Sequence, residues 1–314
     1  MIPGHENENP DSLAGEIGVG GIEALPQRVN RYGKAKTGAL DIVEYIRTLA
    51  ASKAASQHQP GLFSLAWRVG DCGDYLAFRH YYTIDQVRLH GASLCMKHLL
   101  CPLCAIRRGA KALAAYLQRW EAIKSQSKGL KPFLVTLTVK DGDDLGERYR
   151  HLHTSQHELW KRKQRGRGSS LDCVKGAVWS YEAKRGTGSG SWHPHLHMVA
   201  LCESQPDQNQ LSREWHDITG DSFIVDVRPI SQEDPVSGFI EVFKYAVKFS
   251  AQSPADTFHC FEVLGGRRLI GSSGIFRGVE IPESLLDEPL EDLPFVTYFY
   301  RYLKGVGYSL ASQQ

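Results

Sequence analysis

The stretch Trp192-His193-Pro194-His195-Leu196-His197-Met198-Val199-Ala200-Leu201 decides how this chain is read. Its histidines recur at every second position and run into an apolar tail, the pattern of a strand with a buried face. Alternate side chains of a strand share a face, so His195 and His197 project one way while Leu196, Met198 and Ala200 pack behind them. Two neighbouring imidazoles on a rigid strand make a seat for a divalent cation. The plainer alternative is a histidine-rich strand whose rings bind water or each other.

Working outward, residues 174–183 form a second expected strand. The glycine-rich Arg185-Gly186-Thr187-Gly188-Ser189-Gly190-Ser191 joins the two strands as a predicted hairpin. Val178, Ser180 and Glu182 share one face of the upstream strand, and Glu182 falls beside the turn, as His195 does on the partner. A carboxylate there completes a set of two histidines and one carboxylate suited to Mg²⁺ or Mn²⁺, leaving coordination positions for substrate oxygens. The alternative is a solvated strand-end charge paired with Lys184.

A second constellation lies on Glu241-Val242-Phe243-Lys244-Tyr245-Ala246-Val247-Lys248-Phe249-Ser250. At helical spacing Glu241, Tyr245 and Lys248 share a face while Val242, Phe243 and Val247 turn inward. A phenol ionises near pH ~10 and attacks poorly at neutrality. A nearby ammonium, or a phosphate polarised by metal, helps by stabilising the developing negative charge. Glu241 could take a proton from water. The alternative is a routine helix with an ion pair and a part-buried tyrosine.

The 314 residues suffice for a full core, and 42% apolar with 23% charged residues is ordinary for a globular chain. The formal charge of +2 hides an uneven spread. Residues 148–167 carry seven Lys and Arg interleaved with His151, His153 and His157, whereas Glu283, Asp287, Glu288, Glu291 and Asp292 gather near the C-terminus. Such a basic face serves either solvent or nucleic acid. No apolar run approaches the ~18 residues of a membrane span and no signal peptide opens the chain, so a cytoplasmic protein is expected. Seven cysteines, an odd number in a reducing compartment, argue against a disulfide framework.

Residues 1–60 are polar and glycine-rich and are expected to be mostly disordered, with a short helix at 40–54. Residues 61–125 hold a cysteine-rich module feeding a basic helix. Residues 126–280 alternate a strand (131–139), a helix (144–163), the hairpin, a helix (206–219), a strand (223–227) and a helix (238–250). The helix at 144–163 should bury Leu145, Tyr149, Leu152, Leu159 and Trp160. This order gives an α+β fold, an antiparallel sheet backed by helices. Residues 281–314 are expected to form a helical tail.

In the module, Cys101 and Cys104 form a Cys-x-x-Cys knuckle with Cys95 six residues upstream. Cys72 is the natural fourth ligand of a tetrahedral Zn²⁺ site, and His98 the alternative. A redox pair is the rival for the knuckle, though it expects a preceding strand. Cys173, Cys202 and Cys260 read as small core residues. A zinc-stapled module ahead of a basic helix suits a reader of double-stranded DNA, with Arg107, Arg108, Lys111 and Arg119 touching phosphates.

The histidine strand, the upstream strand FLVTLTV and the downstream helix KYAVKFS come in the order of the HUH endonucleases. More narrowly, the chain resembles the plasmid rolling-circle replication initiators of the single-tyrosine type, replication protein Rep family 1. CPLC followed by Ala-Ile-Arg-Arg, and the later LGGRRLIGSSG, fit that group, and the resemblance covers roughly residues 65–280. It implies an HUH-endonuclease-like antiparallel sheet, an RRM- or ferredoxin-like palm flanked by helices. It further implies that His195 and His197 are the metal pair, Glu182 the third ligand and His193 a supporting residue. Tyr245 matches the nucleophile that becomes linked to the 5′ end of a nicked origin strand, with Lys248 the accompanying lysine. Glu241 matches the carboxylate that activates water in the terminating cleavage. The implied cofactors are catalytic Mg²⁺ or Mn²⁺ and structural Zn²⁺. The implied partners are the plasmid double-strand origin, the single strand at the nick, and a host helicase and polymerase.

Two other functions share some of these residues. An HUH transposase or mobilisation relaxase would use the same chemistry. Transposases of that kind are usually shorter and lack the cysteine module, and relaxases more often carry the tyrosine before the histidines. A non-catalytic zinc-bearing regulator that represses its own promoter would need only DNA binding.

Overall fold

The computed structural model describes residues 25–52, 61–127, 129–166, 168–186 and 188–314. Of the residues 1–60 expected to be mostly disordered, 1–24 and 53–60 lie outside the described residues, whereas 25–51 form a helix, against that expectation. The chain forms two compact units: Met1–Lys111 with Ser250–Phe261 and Pro282–Gln314, and Ala112–Phe249 with Glu262–Ile281. None of the described helices is long and apolar enough to cross a membrane.

The first unit is built from both ends of the chain. It contains α1 (Leu25–Ala51), α2 (Leu62–Gly70), β1 (Tyr75–Tyr81), β2 (Gln86–Ala92) and the start of α3 (Pro102–Gln126). β8 (Val296–Leu303) and β9 (Gly307–Gln313) complete an antiparallel sheet in the order β2-β1-β8-β9. The expected helical tail is thus a strand pair. Pro289 and Pro294 interrupt any helix there, and the aromatic and β-branched run Val296-Thr-Tyr-Phe-Tyr has the period and residue types of a strand.

The N-terminal helix is also longer than composition predicts. α1 buries Tyr32, Ala39, Ile42 and Ile46 at helical spacing, a proper core stripe. Two of its buried residues are cations, which conceals the stripe in the sequence. Arg28 pairs with Asp287 at 2.9 Å, and Lys36 reaches the carbonyl of Cys72 at 2.9 Å and Asp74 at 2.6 Å. A buried charge survives only with such partners.

The second unit follows the predicted order closely. β3 (Lys131–Thr138), β4 (Val174–Arg185), β5 (Trp192–Cys202), β6 (Val225–Pro229) and β7 (Ile270–Gly274) form a sheet ordered β6-β3-β5-β4-β7, antiparallel throughout. The histidine strand β5 is central. Helix α4 (Leu145–Gln164) starts at Asp144, whose carboxylate accepts the Glu147 amide at 2.8 Å. It buries Leu145, Tyr149, Leu152 and Leu159 as expected, while Trp160, also expected inside, is half-buried; Tyr181 of β4 donates its hydroxyl to Gln156 at 3.0 Å. α4 therefore covers the sheet face that carries Tyr181, opposite Glu182. α5 (Gln208–Thr219) ends on Gly220 in a left-handed conformation, φ 68°.

α6 (Val236–Phe243) and α7 (Tyr245–Ser250) replace the single helix expected at 238–250, with a break at Lys244. Phe239 and Phe243 of α6 are fully buried, and Phe243 stacks on Tyr116 of α3 at 5.1 Å. Burying such rings stabilises by about 1.5–3 kcal/mol each. The glycine-rich segment has a packing role. A Cβ at Gly271 would stand 2.5 Å from the Trp179 ring, and one at Gly274 2.0 Å from the Lys175 carbonyl. Only glycine lets edge strand β7 pair so closely with β4. α8 (Pro254–Leu264) completes the described helices.

Candidate functional site

The register of the hairpin places Glu182 directly opposite His195 and Ser180 opposite His197. Glu182 Oε2 lies 3.4 Å from His195 Nε2 and 3.5 Å from His197 Nε2. The two imidazoles stand edge to face, 4.8 Å between centroids. The Glu182 side chain is only 1% exposed, so its charge has almost no access to water. Lys248 of α7 approaches from the helix side, its ammonium 2.7 Å from Glu182 Oε1. The strand-end pairing of Glu182 with Lys184 does not occur.

The imidazoles are held from behind. His195 Nδ1 donates to the His193 carbonyl at 3.4 Å, which orients the ring with Nε2 toward Glu182. Thr136 of β3 lies opposite His197 in the sheet, its Oγ1 3.1 Å from His197 Nδ1. Thr136 was visible in the sequence as part of the Thr-x-Thr strand, but its role depends on the register between β3 and β5. His193 itself turns aside, 2.6 Å from Asp141.

Electrostatics follow from this geometry. Burial pushes the Glu182 carboxyl up, but the charges of His195 and Lys248 outweigh it and hold the group below the usual carboxylate range. Burial, reinforced by His195, keeps His197 well below the ordinary imidazole value and therefore neutral. His197 Nε2 and Glu182 Oε2 are buried with no hydrogen-bond partner among the described residues. Orphaned acceptors of that kind are rare and costly. Two nitrogens and one carboxylate oxygen within 4.8 Å of one another fit a divalent ion: donors bound at about 2.1 Å and at right angles stand about 3.0 Å apart. The two carboxylate–imidazole separations, 3.4 and 3.5 Å, lie close to that spacing.

Tyr245 opens α7 one turn before Lys248 and is buried, its ring edge-on to Phe249. Residues three apart share a helix face. Glu241 sits on the preceding helix and pairs with Lys244 at 2.5 Å. The structure thus gathers Glu182, His195, His197 and Lys248 directly, while Glu241 is engaged by its neighbour.

The cysteines form a second group. Sγ–Sγ separations are 3.6 Å for Cys72–Cys104, 3.6 Å for Cys95–Cys104 and 3.5 Å for Cys101–Cys72. Four sulfurs at about 2.3 Å around one tetrahedral ion stand about 3.8 Å apart. All four are buried, and the Cys95 amide points at Cys72 Sγ at 3.4 Å. Hydrogen bonds with Cys101 and then Cys104 pull the Cys95 thiol down, while those with Cys104, Cys72 and Cys95 push Cys101 up. Cys72, and not His98, completes the set.

Among the residues expected to touch phosphate, Arg107 requires correction. It is 1% exposed, its guanidinium bound to Asp287 at 2.5 Å and to the Leu285 carbonyl at 2.7 Å. Lys111 stands 3.9 Å from the same carboxylate, and Arg108 donates to the Pro282 carbonyl. Arg119 is exposed and donates to the Ile275 carbonyl.

An α+β chain with two metal-capable donor sets, one made of four thiols and one of two imidazoles and a carboxylate, is the class that these observations define. The family of replication proteins known as Rep_1 matches residues 86–296, more than half of the chain. The chain belongs to that family, and the match supports a plasmid rolling-circle replication initiator. No curated protein and no solved structure matches it.

Proposed function

We propose that this chain initiates plasmid rolling-circle replication by nicking one strand of the origin and later rejoining it. The observation that carries the reading is the buried Glu182 carboxylate between the Nε2 atoms of His195 and His197, with Lys248 of the tyrosine helix in contact with it. Glu182, His195 and His197 would hold Mg²⁺ or Mn²⁺, which when bound supplies Lewis-acid polarisation of the scissile phosphate. The Tyr245 oxygen attacks phosphorus and the bond to the 3′-oxygen breaks. The phenolic proton passes, in net terms, to that leaving oxygen. The 5′ end is then esterified on Tyr245 and a 3′-hydroxyl is free for a polymerase, while a host helicase opens the duplex. Lys248 offsets the negative charge gathering near the nucleophile. Glu241, once freed from Lys244, takes the proton from water in the terminating cleavage. Because the ester conserves the energy of the phosphodiester, rejoining needs no ATP. Cys72, Cys95, Cys101 and Cys104 would hold Zn²⁺ as a structural ion.

Incubation with supercoiled DNA carrying the candidate origin tests the reading. Wild-type protein should yield a metal-dependent adduct on the 5′ end that chelator abolishes. Tyr245→Phe should bind the DNA and form no adduct. An adduct that survives in Tyr245→Phe removes the assigned nucleophile, and a wild type that never forms one removes the enzyme.

A further inference from the structure

One sheet face in the first unit carries groups that nothing above employs. Register places Tyr75, Ala77 and Arg79 of β1 on the same face as Arg301 and Phe299 of β8 and Arg88 of β2. The opposite face is the packed one. There Phe78 stacks on Tyr32 of α1 and meets Tyr300 edge-on. On the open face the Tyr75 and Phe299 rings lie parallel, 5.5 Å apart and 16° from coplanar, with Tyr75 37% exposed. Beside them the surface is low, because Ala77 faces Gly91, where even a Cβ would meet Ala77 at 3.4 Å.

The charges on this face have one sign. Arg301 is exposed, its guanidinium 5.9 Å from the centre of the Phe299 ring. Arg79 and Arg88 stand directly opposite each other in register. Like charges in that position destabilise a sheet by themselves. None of these three arginines forms an ion pair with a carboxylate among the described residues: Arg88 donates to Gln86, and Arg79 lies over Phe295 with its Nε buried and unbonded. An anion with flat apolar faces would complement the whole surface.

We propose that this open face binds single-stranded DNA, with unpaired bases stacked on Tyr75 and Phe299 and phosphates along Arg79, Arg88 and Arg301. Stacking on exposed rings needs a base free of its pair, so the surface suits one strand and not the duplex. The inference rests on the origin-nicking reading, since displaced single strand is what such a nick releases.

The test uses the full chain in chelator, with a labelled oligothymidylate followed by fluorescence anisotropy. Wild type should prefer the single strand to a duplex of equal length. Replacing Tyr75 and Phe299 by alanine should weaken binding roughly five- to a hundredfold per ring. Phe299→Trp should restore it, which loss of folding would not allow. Arg301→Gln should flatten the dependence of log affinity on log salt by about 0.7. Cross-links from 5-iododeoxyuridine should map to Tyr75 or Phe299. Unchanged affinity in the double variant, a preference for duplex, or cross-links confined to the second unit overturns the proposal. Adduct formation on supercoiled DNA is scored in parallel with added Mn²⁺. If wild type forms the adduct while the face variants bind as before, the nicking reading stands and this one falls.

Discussion

The two donor sets are both buried and both metal-capable, yet they are built for opposite ends. The four cysteines present only sulfur, close a tetrahedron and join distant pieces: Cys72 precedes β1, Cys95 follows β2, and Cys101 and Cys104 flank the first turn of α3. Four protein donors around one tetrahedral ion would leave no coordination position for a substrate. Glu182, His195 and His197 sit on two adjacent strands held by their own backbone pairing, and three donors would leave positions open. The difference teaches that closure of the donor set, more than burial, would separate a structural ion from one open to substrate.

The contrast breaks most readily at the staple. Cys101→Ser should cost the first unit its fold, because structural zinc contributes an apparent ~10–16 kcal/mol in small domains while a whole domain is stable by only about 5–15 kcal/mol. Zinc content by atomic absorption should fall and limited proteolysis should cut within residues 61–111. A variant that melts like wild type would make the cysteines dispensable.

Next in size comes Asp287, which serves the same unit without metal. Its carboxylate joins the buried guanidiniums of Arg107 and Arg28. Removing one side of such a cluster costs about 3–5 kcal/mol, so Asp287→Ala should lower the melting temperature by many degrees. Burial raises this carboxyl, but Arg107 and then Arg28 override it and hold it below the ordinary range. The sign is therefore that of a depressed acid. Its stabilisation is complete above the unfolded value near pH ~3.9 and is lost as pH falls through the folded one. Melts stepped from about pH 6 to about pH 3 should show this loss in wild type and a flatter profile in Asp287→Ala.

The smallest expected effect sharpens the open site. Thr136→Val removes the hydroxyl behind His197 while keeping the shape of a strand residue. Affinity for Mn²⁺ by calorimetric titration should drop roughly ten- to hundredfold, with the melting temperature nearly unchanged. Equal affinity would mean that the imidazole is positioned by packing alone.

What could be read beforehand was local. The period of two in the histidine strand, the glycine-rich turn and the Cys-x-x-Cys spacing each state their geometry within a few residues, and the hairpin register then brings Glu182 to His195. The parts that escaped depend on long-range pairing. Nothing within 296–303 announces that β8 lies between β1 and β9, more than two hundred residues from one of its partners. Arg107 looked like a phosphate-contacting cation because charge ordinarily means solvent, and its partner, Asp287, belongs to a segment remote in sequence. The break at Lys244 likewise leaves no mark, since its residues all tolerate a helix.

The placement of β8 has a consequence for how the protein is made. An interior strand of the first sheet follows β1 by more than two hundred residues, so the β1–β2 hairpin, translated early, must wait before its neighbour exists. The histidine sheet emerges whole in the meantime and can close first. A nascent chain halted before residue 296 would carry Glu182, His195 and His197 on their finished sheet while the first sheet still lacked β8.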